Sequence, residues 1–296
     1  MFSYRAPAAA GAVLLALLLP GCAPTDEADS TGTPSGAAGS ASATAACAPA
    51  DLKTLTAGTL TVGTDDPVYE PWFVDNKPTN GKGFESAVAY AVAKQLGYDQ
   101  AAVKWTRVTF NAAIKPGSKP YDVDINEFSI TDARKKVVDF SSGYYDVSQA
   151  VVTIKGSKAA GVKDLAGLSG LKIGAQVGTT SYQAITDVIK PSSAPKVFDD
   201  NDKAKLALAN GQIDALVVDL PTALYLAAAD LKNGMVVGQL PPATSGTTEQ
   251  FGLVLDKGSA LTSCVTKAVD ALRADGTLKT LESTWLTDAA GAPLLK

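Results

Sequence analysis

From residue 60 to the C-terminus, short apolar runs alternate with segments whose apolar residues recur at helical spacing. That order leaves few folds open, because parallel strands need crossover helices, and those helices cover the sheet on both faces. Strands are predicted at 60–62, 103–108, 147–154, 172–177, 196–198, 213–218 and 250–255. Helices are predicted over 84–96, closed by Gly97, and at 180–189, 204–209, 261–272 and 278–286. About 240 residues of this pattern exceed a typical single domain, so the expectation is two α/β lobes, each a mainly parallel sheet flanked by helices.

Composition narrows the chemistry. The chain has 296 residues, a net charge of −4 and no histidine. A charge this mild gives no basic face for nucleic acid. Without histidine there is no Ser-His-Asp or Cys-His mechanism, and the commonest metal ligand is missing. The cysteines Cys22, Cys47 and Cys264 lie far apart, without the spacing of a zinc or redox pair. Neither a metal nor a cofactor is expected.

Residues 1–22 read as an export signal. Arg5 precedes an apolar run at 8–19 that is too short to span a bilayer. It ends in Leu-Pro-Gly-Cys, which resembles the bacterial lipobox and makes Cys22 the lipidation site. Proline at the second position is less usual there, and an ordinary secretory cleavage beside a stray cysteine is the alternative. Residues 23–50 are rich in Ala, Gly, Ser, Thr and Pro and read as a flexible tether. With Cys22 lipidated, Cys47 and Cys264 remain as an even pair in an exported chain, the usual setting of a disulfide. A loop that long gives at most ~5 kcal/mol in chain-entropy models.

Ligands of open α/β sheets sit beyond the carboxyl ends of strands. After the first strand, Asp65, Asp66, Tyr69 and Trp72 fall in one non-periodic loop. The aromatics could clamp a ligand and the acids pair a cation, or the loop could be a capped turn over core aromatics. Thr131 is placed to cap a helix with Arg134 in its first turn, where the helix dipole disfavours a cation. A bound carboxylate would resolve that conflict, whereas a solvated surface arginine would not need one. Thr179 and Thr180 open a helix after a strand and offer backbone N–H groups to an anion. Asp219 ends a strand just before Pro221, as a cation acceptor or a helix cap. Together an anion clamp and a cation acceptor describe an amino acid zwitterion.

Seven blocks in order carry a resemblance over about residues 50–290: VGTDDPVYEPWF, GKGFESAVAYAVAKQLG, DINEFSITDARKKVVDFSSGYYDVSQAVV, AQVGTTSY, NGQIDALVVD, FGLVLDKGSAL and ALRADGTLKTLESTW. They resemble the family 3 solute-binding proteins of polar amino acid ABC transporters, which have the periplasmic-binding-protein fold. The resemblance implies two lobes joined by a two-segment hinge: lobe one at 51–152 and 249–296, lobe two at 153–248, hinges near 153–156 and 244–248. It implies that Arg134 takes the ligand carboxylate with backbone N–H groups of Ser129 and Thr180, and that Asp219 takes the ammonium. Tyr69 and Trp72 would stack on the ligand, and Asp65 or Asp66 would sense its side chain. Spacing there is one residue longer than in the best-known members, and Glu127 stands where relatives often carry Gly or Ser. The ligand would be a polar amino acid: the acids Asp65, Asp66, Glu70 and Glu127 favour arginine, lysine or ornithine, and glutamine or another polar amino acid fits if some of them face solvent. Partners would be an amino acid, a transporter permease and the membrane through the lipid, with the chain a monomer at the outer face of the cell membrane. A same-fold dehydratase using Glu127, or a sensory lobe for a separate receptor, are the alternatives.

Overall fold

The structure, a computed structural model, describes residues 47–243, 247–286 and 292–296. The expected signal segment, Cys22, the tether up to residue 46 and hinge residues 244–246 lie outside the described residues. Among the described residues, no helix is long and apolar enough to cross a membrane.

Each lobe is built on a five-stranded sheet. The first sheet runs β2 (Val103–Arg107), β1 (Leu60–Thr64), β3 (Val123–Asp124), β12 (Val254–Asp256), β4 (Val138–Phe140). The second runs β10 (Gly234–Gln239), β6 (Gln149–Ile154), β9 (Ala215–Asp219), β7 (Ile173–Gln176), β8 (Lys196–Phe198). Each is more mixed than a βα alternation implies. β12 is antiparallel to β3 and β4, and β6 is antiparallel to β9 and β10, because these strands arrive by crossing between lobes rather than through a crossover helix.

Alternation along the strands explains the layering. In the second sheet, Val151 and Val217 face one core, while Ala150, Val152, Leu216 and Val218 face another. In the first lobe, α1 (Phe84–Gln95) and α7 (Thr262–Ala274) bury Val88, Val92, Val265 and Val269 over one sheet face. Cys47 and Cys264 form the expected disulfide, which pins the start of the described chain to α7.

Two expected strands are each broken. The run at 147–154 divides into β5 (Tyr145–Val147) and β6, and the run at 250–255 into β11 (Glu249–Phe251) and β12. β5 and β11 pair antiparallel as a separate two-stranded ribbon between the lobes. The breaks fall at Ser148 and at Gly252-Leu253, and at each the hydrogen-bond partner changes. The lobe boundary therefore shifts. β6 belongs wholly to the second sheet, so the first crossover lies at Ser148, not at 152, and the expected hinge at 153–156 sits inside lobe two, where Ile154 pairs with Gly234. The C-terminus is a second correction. Residues 249–286 return to lobe one, but Leu294 bridges Gln239 of β10 and Leu295 is buried in a lobe-two core.

Candidate functional site

The cleft between the lobes holds a cavity of about 30 Å³. Asp65, Tyr69, Phe110, Asn126, Glu127, Ser129 and Arg134 line it from lobe one. Gln176, Thr179, Thr180, Asn201 and Asp219 line it from lobe two. Nearly all of these stand at strand carboxyl ends or helix starts.

Arg134 lies in α3 (Asp132–Lys135), a single turn capped by Thr131, whose Oγ1 accepts the Arg134 N–H at 3.2 Å. Its guanidinium is buried and doubly anchored: Nη1 donates to Ser129 O at 2.7 Å, and Nη2 donates to Gly178 O of lobe two at 3.0 Å. Cζ stands 5.3 Å from the Phe110 ring centroid, and Phe110 is itself stacked on Phe128. Burial lowers the Arg134 pKa to about 10, opposed by Glu249 and Asp219, so the fork stays charged at neutral pH. Two of its five N–H groups serve those carbonyls, which leaves donors for an anion in the cavity.

Asp219 ends β9, and its Oδ1 accepts from Gln149 Nε2 at 2.7 Å. Burial pushes its carboxyl well above the usual range, with Glu249 raising it further and Gln149 and Arg134 lowering it. Its side chain makes no capping hydrogen bond to α6 (Leu220–Tyr225), so the cap alternative fails. Thr179 takes the capping role at α4 (Thr180–Ala184), accepting from Tyr182 N at 3.2 Å, and its hydroxyl donates to Gln176 O.

Glu127 occupies the left-handed region at φ +53°, which explains why glycine suits the position. Its N–H donates to Glu85 Oε1 at 2.7 Å, and its Oε2 accepts from Thr222 of lobe two at 3.1 Å. Burial raises its carboxyl well above the usual range, with Asp219 adding to the effect. Asp65 is the inward member of the acidic pair. Its oxygens accept from Phe110 N and Asp66 N, while burial raises its pKa. Burial also raises the Tyr69 phenol, helped by Asp202 and Asp200, so it remains a neutral hydroxyl.

Two expected site residues lie elsewhere. Asp66 is exposed and accepts from Asn76. Trp72 is fully buried in the lobe-one core, edge-on to Phe84, Tyr145 and Phe251, so its ring cannot stack on a ligand. Its indole N–H instead donates across the cleft to Thr222 Oγ1 at 2.8 Å. Sequence reasoning missed Phe110, Asn126, Gln176 and Asn201. Gln176 at the end of β7 and Phe110 at the start of α2 (Phe110–Ala113) obey the strand-end rule that singled out Asp219.

Residues 60–288 match the bacterial extracellular solute-binding proteins, family 3. The chain belongs to that family. Among these solute-binding proteins it is 31% identical over 216 residues to the ABC transporter glutamine-binding protein GlnH of Bacillus subtilis, covering 71% of this chain and 76% of that one. It is 29% identical to the L-cystine-binding protein TcyJ of Escherichia coli, covering 77% and 82%. A solved structure of an ancestral arginine-binding protein bound to arginine is similar at 34% identity and a TM-score of 0.63, over 78% of this chain and 99% of that one. A second, the ancestral amino acid-binding protein AncCDT-1, a precursor of cyclohexadienyl dehydratase, has 32% identity and a TM-score of 0.64, over 78% and 96%. Two lobes facing a shared cleft are the architecture of this family of solute-binding proteins.

Proposed function

We propose that the protein captures an amino acid with a cationic side chain between its lobes and delivers it to the permease of an ABC importer. One observation carries the reading: the buried Arg134 guanidinium of lobe one and the Asp219 carboxyl of lobe two line the same cavity. A zwitterion places its carboxylate on the arginine fork and its ammonium on Asp219, and thereby ties the lobes together. Asp65 and Glu127 remain for the ligand side chain, and a cation there offsets the cost of enclosing carboxyls. The relatives named for glutamine and for arginine support a polar amino acid. Cys22 anchors the chain by lipid to the outer face of the membrane, and the chain works as a monomer, since one cleft between two lobes needs no second subunit.

Calorimetry on the protein starting at Ala23, unfolded and refolded to strip carried ligand, tests this. Arginine, lysine or ornithine binds tightly, and Arg134→Ala and Asp219→Ala each abolish the signal. Folded protein that binds no amino acid sinks the assignment. A dehydratase reading draws on one observation, the Glu127 carboxyl at the cavity wall, whose pKa burial raises. Turnover of prephenate or arogenate by the purified protein would put that reading first.

A further inference from the structure

Behind the cavity, on the hinge side, four side chains close a ring of hydrogen bonds. Ser129 Oγ donates to Glu249 Oε1 at 2.5 Å. Its single hydrogen is then committed, so the 3.1 Å contact with Thr180 Oγ1 is a bond donated by Thr180. Of the two Gln149 Nε2 hydrogens, one goes to Asp219 at 2.7 Å and the other is shared between Glu249, whose two oxygens lie at 3.3 Å, and Thr180 Oγ1 at 3.4 Å. The amide oxygen of Gln149 accepts from Ser181 Oγ at 2.6 Å.

The ring spans three parts of the fold. Ser129 comes from lobe one, Gln149 and Thr180 from lobe two, and Glu249 opens β11, the return strand of the hinge ribbon. Glu249 does not line the cavity. It faces a separate recess against the ribbon with Ser148 and Gln149. Yet every group it holds leads to the ligand. Ser129 O anchors Arg134 and Gln149 anchors Asp219.

We propose that Glu249 is a positioning residue that couples lobe closure to assembly of the ligand site, acting through Ser129, Thr180 and Gln149 without touching the ligand. The inference rests on the amino acid reading above. A carboxylate suits the task because it accepts from both lobes at once and donates to neither. Rotation at the ribbon breaks the ring, frees Gln149 from Glu249 and lets Asp219 swing away from its place opposite Arg134. Glu249 also adds to the electrostatic load on Asp219, second only to burial, so an ammonium arriving between the lobes relieves both carboxyls.

The test uses the full chain in detergent micelles, titrated with L-arginine and L-glutamine, alongside thermal melting without ligand. Glu249→Ala is expected to weaken binding by about tenfold or more, the range for a hydrogen bond to a charged group. Glu249→Gln, which keeps an acceptor for Ser129, recovers part of that loss. The diagnostic readout is a double-mutant cycle: Glu249→Ala combined with Gln149→Ala costs little more than either alone. Lys163→Gln, exposed on lobe two and outside the cavity lining, binds as the parent does. The inference is overturned if Glu249→Ala binds within twofold of the parent, if the cycle is additive, or if affinity losses track the ligand-free melting temperature. Should the alanine variant not fold, Glu249→Gln decides, with a threefold or larger loss supporting the role and parent affinity rejecting it. A parent that binds no amino acid rejects the underlying reading and this inference together, whereas a binding parent with unaffected variants rejects the inference alone.

Discussion

Glu85, in the first turn of α1, is wholly enclosed, and its Oε1 accepts from Glu127 N and from the Tyr144 hydroxyl. Burial lifts its pKa to about 7, with those two donors pulling the other way. The folded protein thus holds a proton that the unfolded chain has already released between about pH 4.5 and 7. Folding then binds protons, so this group's contribution to stability is full at acid pH and is lost as pH rises through 7. Glu85→Gln cannot ionise. It is expected to match the parent in urea at pH 5 and to exceed it at pH 8 by about 1–3 kcal/mol. Parent superiority at pH 8 would show that the ionised carboxylate is wanted. Asp219 and Glu127 follow the same logic toward ligand. Both are raised, a cationic ligand favours their ionised forms, and so binding releases protons and affinity rises with pH. Arginine titrations in buffers of different ionisation enthalpy measure that release, and an unchanged apparent enthalpy would contradict it.

At the scale of elements, the sequence disclosed the parts whose signal is local. The stripe on α7, Val265, Ala268, Val269 and Leu272, is buried as its spacing predicts. Arg134, Asp219, Thr179 and Thr180, singled out because each stands at a strand end or helix start, line one cavity. What stayed hidden depends on partner exchange between strands. Within residues 147–154 the apolar run is interrupted by Ser148-Gln149, and a polar pair reads alike whether a strand continues or, as at Ser148, changes its partner. Trp72 was misread for a related reason: a loop aromatic looks alike whether it faces a ligand or the core. Gly252 is the exception that carries information, since it separates β11 from β12. A Cβ there would lie 2.8 Å from Ile130 Cδ1 and 3.2 Å from Phe140. Gly252→Ala is therefore expected to destabilise the protein by about 1–3 kcal/mol through overpacking. A neutral result in chemical denaturation would mean that Ile130 swings aside freely.

Across the whole molecule, the two hinge segments are not the only covalent passages between lobes. α8 (Thr277–Trp285) packs on the lobe-one core, yet residues 292–296 are docked on lobe two, so the chain crosses a third time. The docking is specific. Gln239 N donates to Pro293 O at 2.7 Å, Leu295 N donates back to Gln239 O at 2.9 Å, and Leu165 N reaches Lys296 O. Leu295 is 1% exposed beside Val237 and Leu240. The tail thus extends the β10 edge by one short parallel bridge and fills its core. By contrast, the Cys47–Cys264 disulfide lies inside lobe one and cannot hold the lobes to each other. Leu295→Ala is expected to cost about 2–5 kcal/mol, as for other large-to-small changes in a core. Because Leu295 packs in the lobe-two core, the loss should be local. Hydrogen exchange should quicken in β10 and around residues 158–168, while α1 and α7 keep their protection. Uniform acceleration in both lobes would mean that the tail supports the interface between them, and that removing it loosens the closed state itself.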